Sequence, residues 1–133
     1  MSNKKCSPEE FAAAIMGELQ EYVNGITEAQ KKAVDVVAKE VNETIKSHVT
    51  FKQPTGQYVK AFRVATTNDS PFGKHKTWYV KDPHYRMTHL LEKGHALPQG
   101  GRSRAFPHIQ YGQEIAELRM MQLSEEAVKN AGR

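Results

Sequence analysis

Apolar residues of helical period run from Phe11 to Val23 and again from Val34 to Val49. The stripe comprises Phe11, Ile15, Leu19 and Tyr22/Val23, then Val34, Val37, Val41, Ile45 and Val49. Lys31, Lys32, Asp35, Lys39, Glu40, Glu43 and Lys46 lie mostly off it. Such a narrow stripe buries little by itself and needs a sheet or further helices to cover it. Ser7-Pro8-Glu9-Glu10 reads as the start: Ser7 as N-cap, Pro8 at the first helical position, and Glu10 closing a capping box. Asn24-Gly25 is a stop signal, and Thr27 with Gln30 offers a second capping box. The helical segment 8–49 is therefore read either as two helices, 8–23 and 28–49, or as one with a weak point at Gly25. Residues 1–7 read as a flexible tail.

The pattern then changes. Pro54-Thr55-Gly56 is a turn signal. Residues 58–66 alternate well enough for a strand, with Tyr58, Phe62 and Val64 on one face and Lys60 interrupting it. A polar loop containing Asn68-Asp69-Ser70-Pro71 leads to a second strand at 75–81, and the short connection favours an antiparallel β-hairpin across 57–81. Asp82-Pro83 reads as an N-cap followed by proline, opening a short helix over 84–93 that Gly94 ends. A Gly-rich basic loop, Gly100-Gly101-Arg102-Ser103-Arg104, follows. A short third strand is expected near 104–109, and the last helix over 112–130, with Ile115, Leu118, Met121/Leu123 and Val128 as its stripe. The expected class is α+β: a single domain with a small antiparallel sheet of about three strands, packed by the long N-terminal helical segment and the C-terminal helix.

Composition narrows the function. The 133 residues suit one domain, but the apolar share of 38% is below the usual figure of about 45–50%. A thin core of this kind suggests that a partner completes the packing. No apolar run approaches the ~18–20 residues of a membrane span, and the short Phe11–Met16 run, flanked by Glu9, Glu10 and Glu18, does not read as a signal peptide. A single cysteine, Cys6, excludes an internal disulfide and points to a reducing cytoplasm. Net charge is +4, yet Gln57–Ile109 carries nine Lys/Arg against three Asp/Glu, with five of the six histidines. A basic middle of that kind faces nucleic acid or an acidic protein surface, or simply keeps the chain soluble.

The string His89-Leu90-Leu91-Glu92-Lys93-Gly94-His95 concentrates the groups that could do chemistry. His89 and Glu92 share a helical face; His95 and His108 could complete a metal set. The spacing matches no motif of known metal geometry, including the His-Glu-x-x-His of zinc proteases. The competing reading makes His89 and Glu92 structural hydrogen-bonding groups and His95 a cap at the helix end. Gly100–Arg104 could hold a phosphate but lacks the Lys-Ser/Thr ending of a P-loop. Trp78 and Tyr79 between Lys76 and Lys81 resemble an aromatic–basic surface for single strands, although strand aromatics more often pack a core. Two rival functions follow: a small nucleic-acid-binding module using Lys74, Lys76, Trp78, Arg102 and Arg104, and a metal-dependent nuclease using His89, Glu92, His95 and His108.

The order of these motifs is more informative than any one of them. Tyr85–Ala96, then Gly100-Gly101-Arg102, then Pro107-His108-Ile109 resembles the signature of the head–tail joining, or tail-completion, proteins of siphophages and prophages. Pro54-Thr55-Gly56-x-Tyr58 is similar to that family's Thr-Gly-x-Tyr turn, and the likeness runs from about Phe11 to Glu114. It departs where Gln53-Pro54 precedes Thr55 and where Gln110-Tyr111-Gly112 follows Ile109. The resemblance implies a non-enzymatic virion protein without cofactor or metal. It would lie in the neck between capsid portal and tail tube, and in the bacterial host cytoplasm during assembly. Its partners would be copies of itself in a closed ring, a hexamer, together with other neck, portal-adaptor or tail-tube proteins, and DNA in the channel. In that setting His89, Leu90, Leu91, Glu92, Gly94, His95, Pro107 and His108 form a packing and registry motif, and Gly100, Gly101, Arg102 and Arg104 a basic docking loop that orders on assembly.

Overall fold

The structure, a computed structural model, describes residues 7–51 and 56–131. Its elements in chain order are α1 (Pro8–Ser47), the single turn α2 (Gln57–Lys60), β1 (Phe62–Ser70), β2 (Gly73–Val80), α3 (Tyr85–Lys93) and α4 (Ile109–Ala131). The class is α+β, as expected: a long N-terminal helix, a two-stranded antiparallel sheet and a C-terminal helix packed together. Cys6, Pro54 and Thr55, singled out from the sequence, lie outside the described residues.

The N-terminal segment is one helix, not two. Ser7 accepts from the Glu10 backbone N–H and the Glu10 carboxylate accepts from Ser7 N–H, completing the capping box. The helix then passes through Asn24-Gly25 and Thr27 without a break. A helix-interior glycine costs only about 1 kcal/mol relative to alanine, too little to interrupt 40 residues of helix. The result is a rod about 60 Å long.

The β region begins later than its sequence pattern implies. Gly56 has φ +68°, and residues 57–60 make a helical turn before β1. That turn carries Tyr58 inward to 5% exposure, so it sits under the sheet instead of alternating along it. Phe62 pairs with Val80, Val64 with Trp78 and Thr66 with Lys76, with an irregularity between Thr66 and Asn68. The third strand expected near 104–109 does not form: among the described residues the sheet has two strands, and the nearby bridge joins Ala96 to Arg102. The N–H groups of residues 108–110 are taken by a side chain, as described below, so they are not available to a strand partner. Asp82 does not cap α3 either; the position before the helix is His84, and the Asp82–Pro83 peptide is cis. Helix α4 starts at Ile109, three residues earlier than the expected 112.

The core is small and lies at one end of α1. Ile45, Tyr58, Ala61, Phe62 and Val80 are its buried centre, with Val41, Val49, Phe51, Val59, Trp78 and Leu91 packed around them. Helix α4 lies antiparallel along α1. They pack tightly at Gly112, where a Cβ would fall 2.6 Å from Ile45 Cδ1. Further contacts are the His48–Tyr111 ring stack at 3.9 Å and the Arg119–Glu40 ion pair at 2.9 Å. The hairpin covers the adjacent side of α1: Trp78 Nε1 donates to Asn42 Oδ1 at 3.0 Å, and Lys74 and Lys76 both bridge to Asp35. The first 18 helical residues, Pro8–Gly25, are exposed throughout. The folded chain presents 9948 Å² of surface, where a compact monomer of this mass presents about 7,000 Å².

Candidate functional site: a clasp built on Glu92 and His108

Helix α3 is short, and its last turn aims Glu92 across at the beginning of α4. The four leading N–H groups of any helix lack partners within it. Here Glu92 Oε1 accepts from His108 N and Ile109 N, and Oε2 accepts from Gln110 N, each at 3.0 Å. A carboxylate 16 residues back in sequence thus caps α4, where negative charge is favoured by the helix dipole. Burial pushes the Glu92 carboxyl up, but the three N–H donors and the adjacent His108 outweigh it and hold it below the usual glutamate range.

His108 is fully buried. Its Nδ1 lies 2.8 Å from Phe106 O and 3.1 Å from Glu92 Oε1. Both are acceptors, so Nδ1 carries a proton. Its Nε2 lies 2.8 Å from Tyr58 Oη, and Thr88 Oγ1 lies 3.3 Å from the same hydroxyl. Burial raises the Tyr58 pKa; the Thr88 bond opposes this and the Glu92 charge adds to it. The aromatic rings of Phe51 and Tyr58 stand edge-on to the imidazole at 5.6 Å. Among the described residues no buried side-chain polar atom lacks a partner. Both ring nitrogens of this imidazole have partners within the protein.

Gly94 lets the chain leave α3 and return. It has φ +74°, and a Cβ there would come 2.6 Å from Ser103 O, so only glycine fits. Ser103 Oγ accepts from His95 N and lies 2.9 Å from His95 Nδ1, while Ser103 N donates to His95 O. Arg102 reaches Gly94 O at 3.3 Å. Leu97 N donates to Gly101 O, and the positive φ of Gly100 and Gly101 closes the turn. Arg104 lies over the Phe106 ring at 5.4 Å, and Phe106 N donates to Leu91 O. Residues 94–104 thus form a hydrogen-bonded turn.

Of the residues singled out from the sequence, the structure joins Glu92 and His108 directly. Gly94, His95 and Arg102 form the return turn, and Leu91 packs on the core. Leu90 is half-buried; Pro107 is exposed between Phe106 and His108. His89 is exposed and outside the Glu92–His108 network, and His95 binds Ser103 rather than capping α3. Among the described residues no group of three or more His, Cys, Asp or Glu side chains is placed to hold a metal ion. Trp78, read as a stacking platform, packs edge-on to Phe62 at 4.8 Å. Lys74 and Lys76 are tied to Asp35.

Comparison with family models, with curated proteins and with solved structures gave no match.

Three contributors carry little sign of these roles in the sequence: Tyr58 alternates as a strand residue would, Thr88 lies inside a short helix, and Gly112 marks only a departure from a motif. The signal for Gly112 was its place in the first turn of α4, opposite the Val41/Ile45 stripe, where a missing side chain permits close helix packing.

Proposed function

We propose that this chain is a structural, non-enzymatic subunit of a phage neck, a head–tail joining protein that acts as a ring between the portal and the tail tube. The carrying observation is a pairing. The motif string that resembles the joining family folds into a clasp satisfied from within. At the far end of α1, an 18-residue length of amphipathic helix has no cover among the described residues. A protomer of this kind has its polar chemistry committed to holding shape and its apolar surface left for association. Identical subunits joined by a head-to-tail contact close into a ring when the rotation permits.

In this reading the Glu92–His108 clasp keeps α3, the return turn and α4 as one rigid unit. Arg102 and Arg104 at its surface serve as the docking loop toward acidic groups of an adjoining ring or phosphates of channel DNA. The test is genetic and visual. Particles assembled without this chain are expected to accumulate as filled capsids and free tails under the electron microscope, and supplying the chain restores joined virions. Joined particles in its absence overturn the proposal.

A further inference from the structure

The hairpin, α1 and α4 enclose an open groove of about 510 Å³. Its floor is α1 from Val34 to Ile45; one wall is Val64 and Trp78 of the hairpin, and the other is α4 around Ala116 and Met120. The lining is mostly apolar, and a basic rim of Lys74, His75 and Lys76 borders it. Asp35 is the single carboxylate shared by the two lysines, so the rim keeps positive charge in excess.

The exposed arm of α1 has the complementary character. Phe11, Ile15, Leu19 and Val23 recur every four residues, with Met16 and Tyr22 beside them, and these side chains are 39–65% exposed. Between Pro8 and Ile26 there are four glutamates, Glu9, Glu10, Glu18 and Glu21, and no lysine or arginine. The stripe from Phe11 to Val23 is about 18 Å long, and the floor from Val34 to Ile45 about 17 Å. An amphipathic helix laid in an apolar groove, with anchors at this spacing, is a recurrent mode of recognition.

The arm cannot fill its own groove. Arm and floor are consecutive parts of one unbroken helix, so the arm leads away from the groove in its own molecule. Nor do two arms suit each other, because pairing them would set their glutamates side by side. We propose that the exposed N-terminal part of α1 is an assembly arm that lies in the Val34–Ile45 groove of a second copy of this chain, head to tail. Each copy then offers one arm and one groove, the arrangement that generates rings. This rests on, and deepens, the ring reading above.

The test is solution mass of the full chain by light scattering and native mass spectrometry. The wild type is expected as an oligomer. Ile15→Glu with Leu19→Glu, on an exposed face, should reduce it to a monomer with an unchanged helical spectrum. Ala116→Trp should block the groove and give the same result. The arm variant retains its groove and the groove variant its arm, so mixing the two should yield a heterodimer that grows no further. A wild type that remains monomeric at its highest soluble concentration, an arm variant that keeps the full oligomer, or no pairing on mixing overturns the inference. Should Ala116→Trp unfold, Val64→Glu at the other wall replaces it, and the mixing arm is read with that variant. Loss of head–tail joining in the genetic test has a separate meaning: an arm-and-groove oligomer that plays no part in joining removes the neck assignment and leaves this contact standing.

Discussion

Replacing Glu92 by Gln tests the clasp with almost no change of shape. The wild-type carboxylate accepts three backbone N–H bonds, at His108, Ile109 and Gln110, each 3.0 Å long. A carboxamide keeps one acceptor oxygen; whichever way it turns, its NH2 faces at least one N–H donor. Bonds to charged groups contribute about 1.5–3 kcal/mol each, and a buried donor left without a partner costs about 1–3 kcal/mol. Since Glu92 is only 15% exposed, solvent does little to soften the loss. The expected destabilisation is about 3 kcal/mol, with solvent and the remaining oxygen offsetting part of the gross sum. For a chain of this size that is a fall in Tm of about 10 °C. The assay is thermal and urea unfolding followed by circular dichroism at fixed protein concentration and pH 7.

The pH dependence gives the same experiment a second arm. Glu92 is held below its ordinary value when folded, so its contribution is present above the unfolded pKa of about 4.3 and is lost as pH falls through the lower folded value. The gap between wild type and Glu92→Gln should therefore be full at pH 7 and narrow progressively below about pH 4.3. A Tm difference under about 3 °C at pH 7, or a gap that does not narrow in acid, would refute the remote-cap argument.

Other substitutions probe neighbouring parts. Gly94→Ala forces a Cβ to 2.6 Å from Ser103 O at φ +74° and should cost about 2 kcal/mol or more by urea unfolding; an unchanged midpoint contradicts the return turn. Gly112→Ala should push α4 off Ile45, where the new Cβ would stand 2.6 Å from the side chain, at about 1–3 kcal/mol, measured by the same melt. Tyr58→Phe strips the hydroxyl that lies 2.8 Å from His108 Nε2 and should cost about 1–3 kcal/mol, with the His108 ring proton resonances shifted in the NMR spectrum.

Local signals were legible where partner and signal lie within a few residues. The Ser7–Glu10 capping box, the hairpin and the Gly94 stop all follow rules of short range, and the structure has each of them. The failures have physical causes of longer range. Asn24-Gly25 carries a true stop signal, but its cost of about 1 kcal/mol is spread over a helix anchored elsewhere. Tyr58 alternates with Phe62 as a strand residue would, yet Gly56 turns the chain so that the ring enters the core. The expected strand at 104–109 fails because Glu92, distant in sequence, claims the N–H groups at 108–110. In the clasp, Glu92 and His108 were legible as members of one motif. Their joint task was not, since capping rules search three residues away and this cap reaches across 16.

The continuity of α1 has a mechanical consequence. From Phe11 to the buried Ile45 runs a single ladder of backbone hydrogen bonds with no loop between. A helix of that kind transmits tension and torque along its axis, whereas a jointed connection would dissipate them. Whatever seizes the outer tip pulls directly on the side chain against which Gly112 rests. The grip between α1 and α4 is therefore where a load applied some 50 Å away would be felt, and it makes that seam a natural strain gauge of the chain.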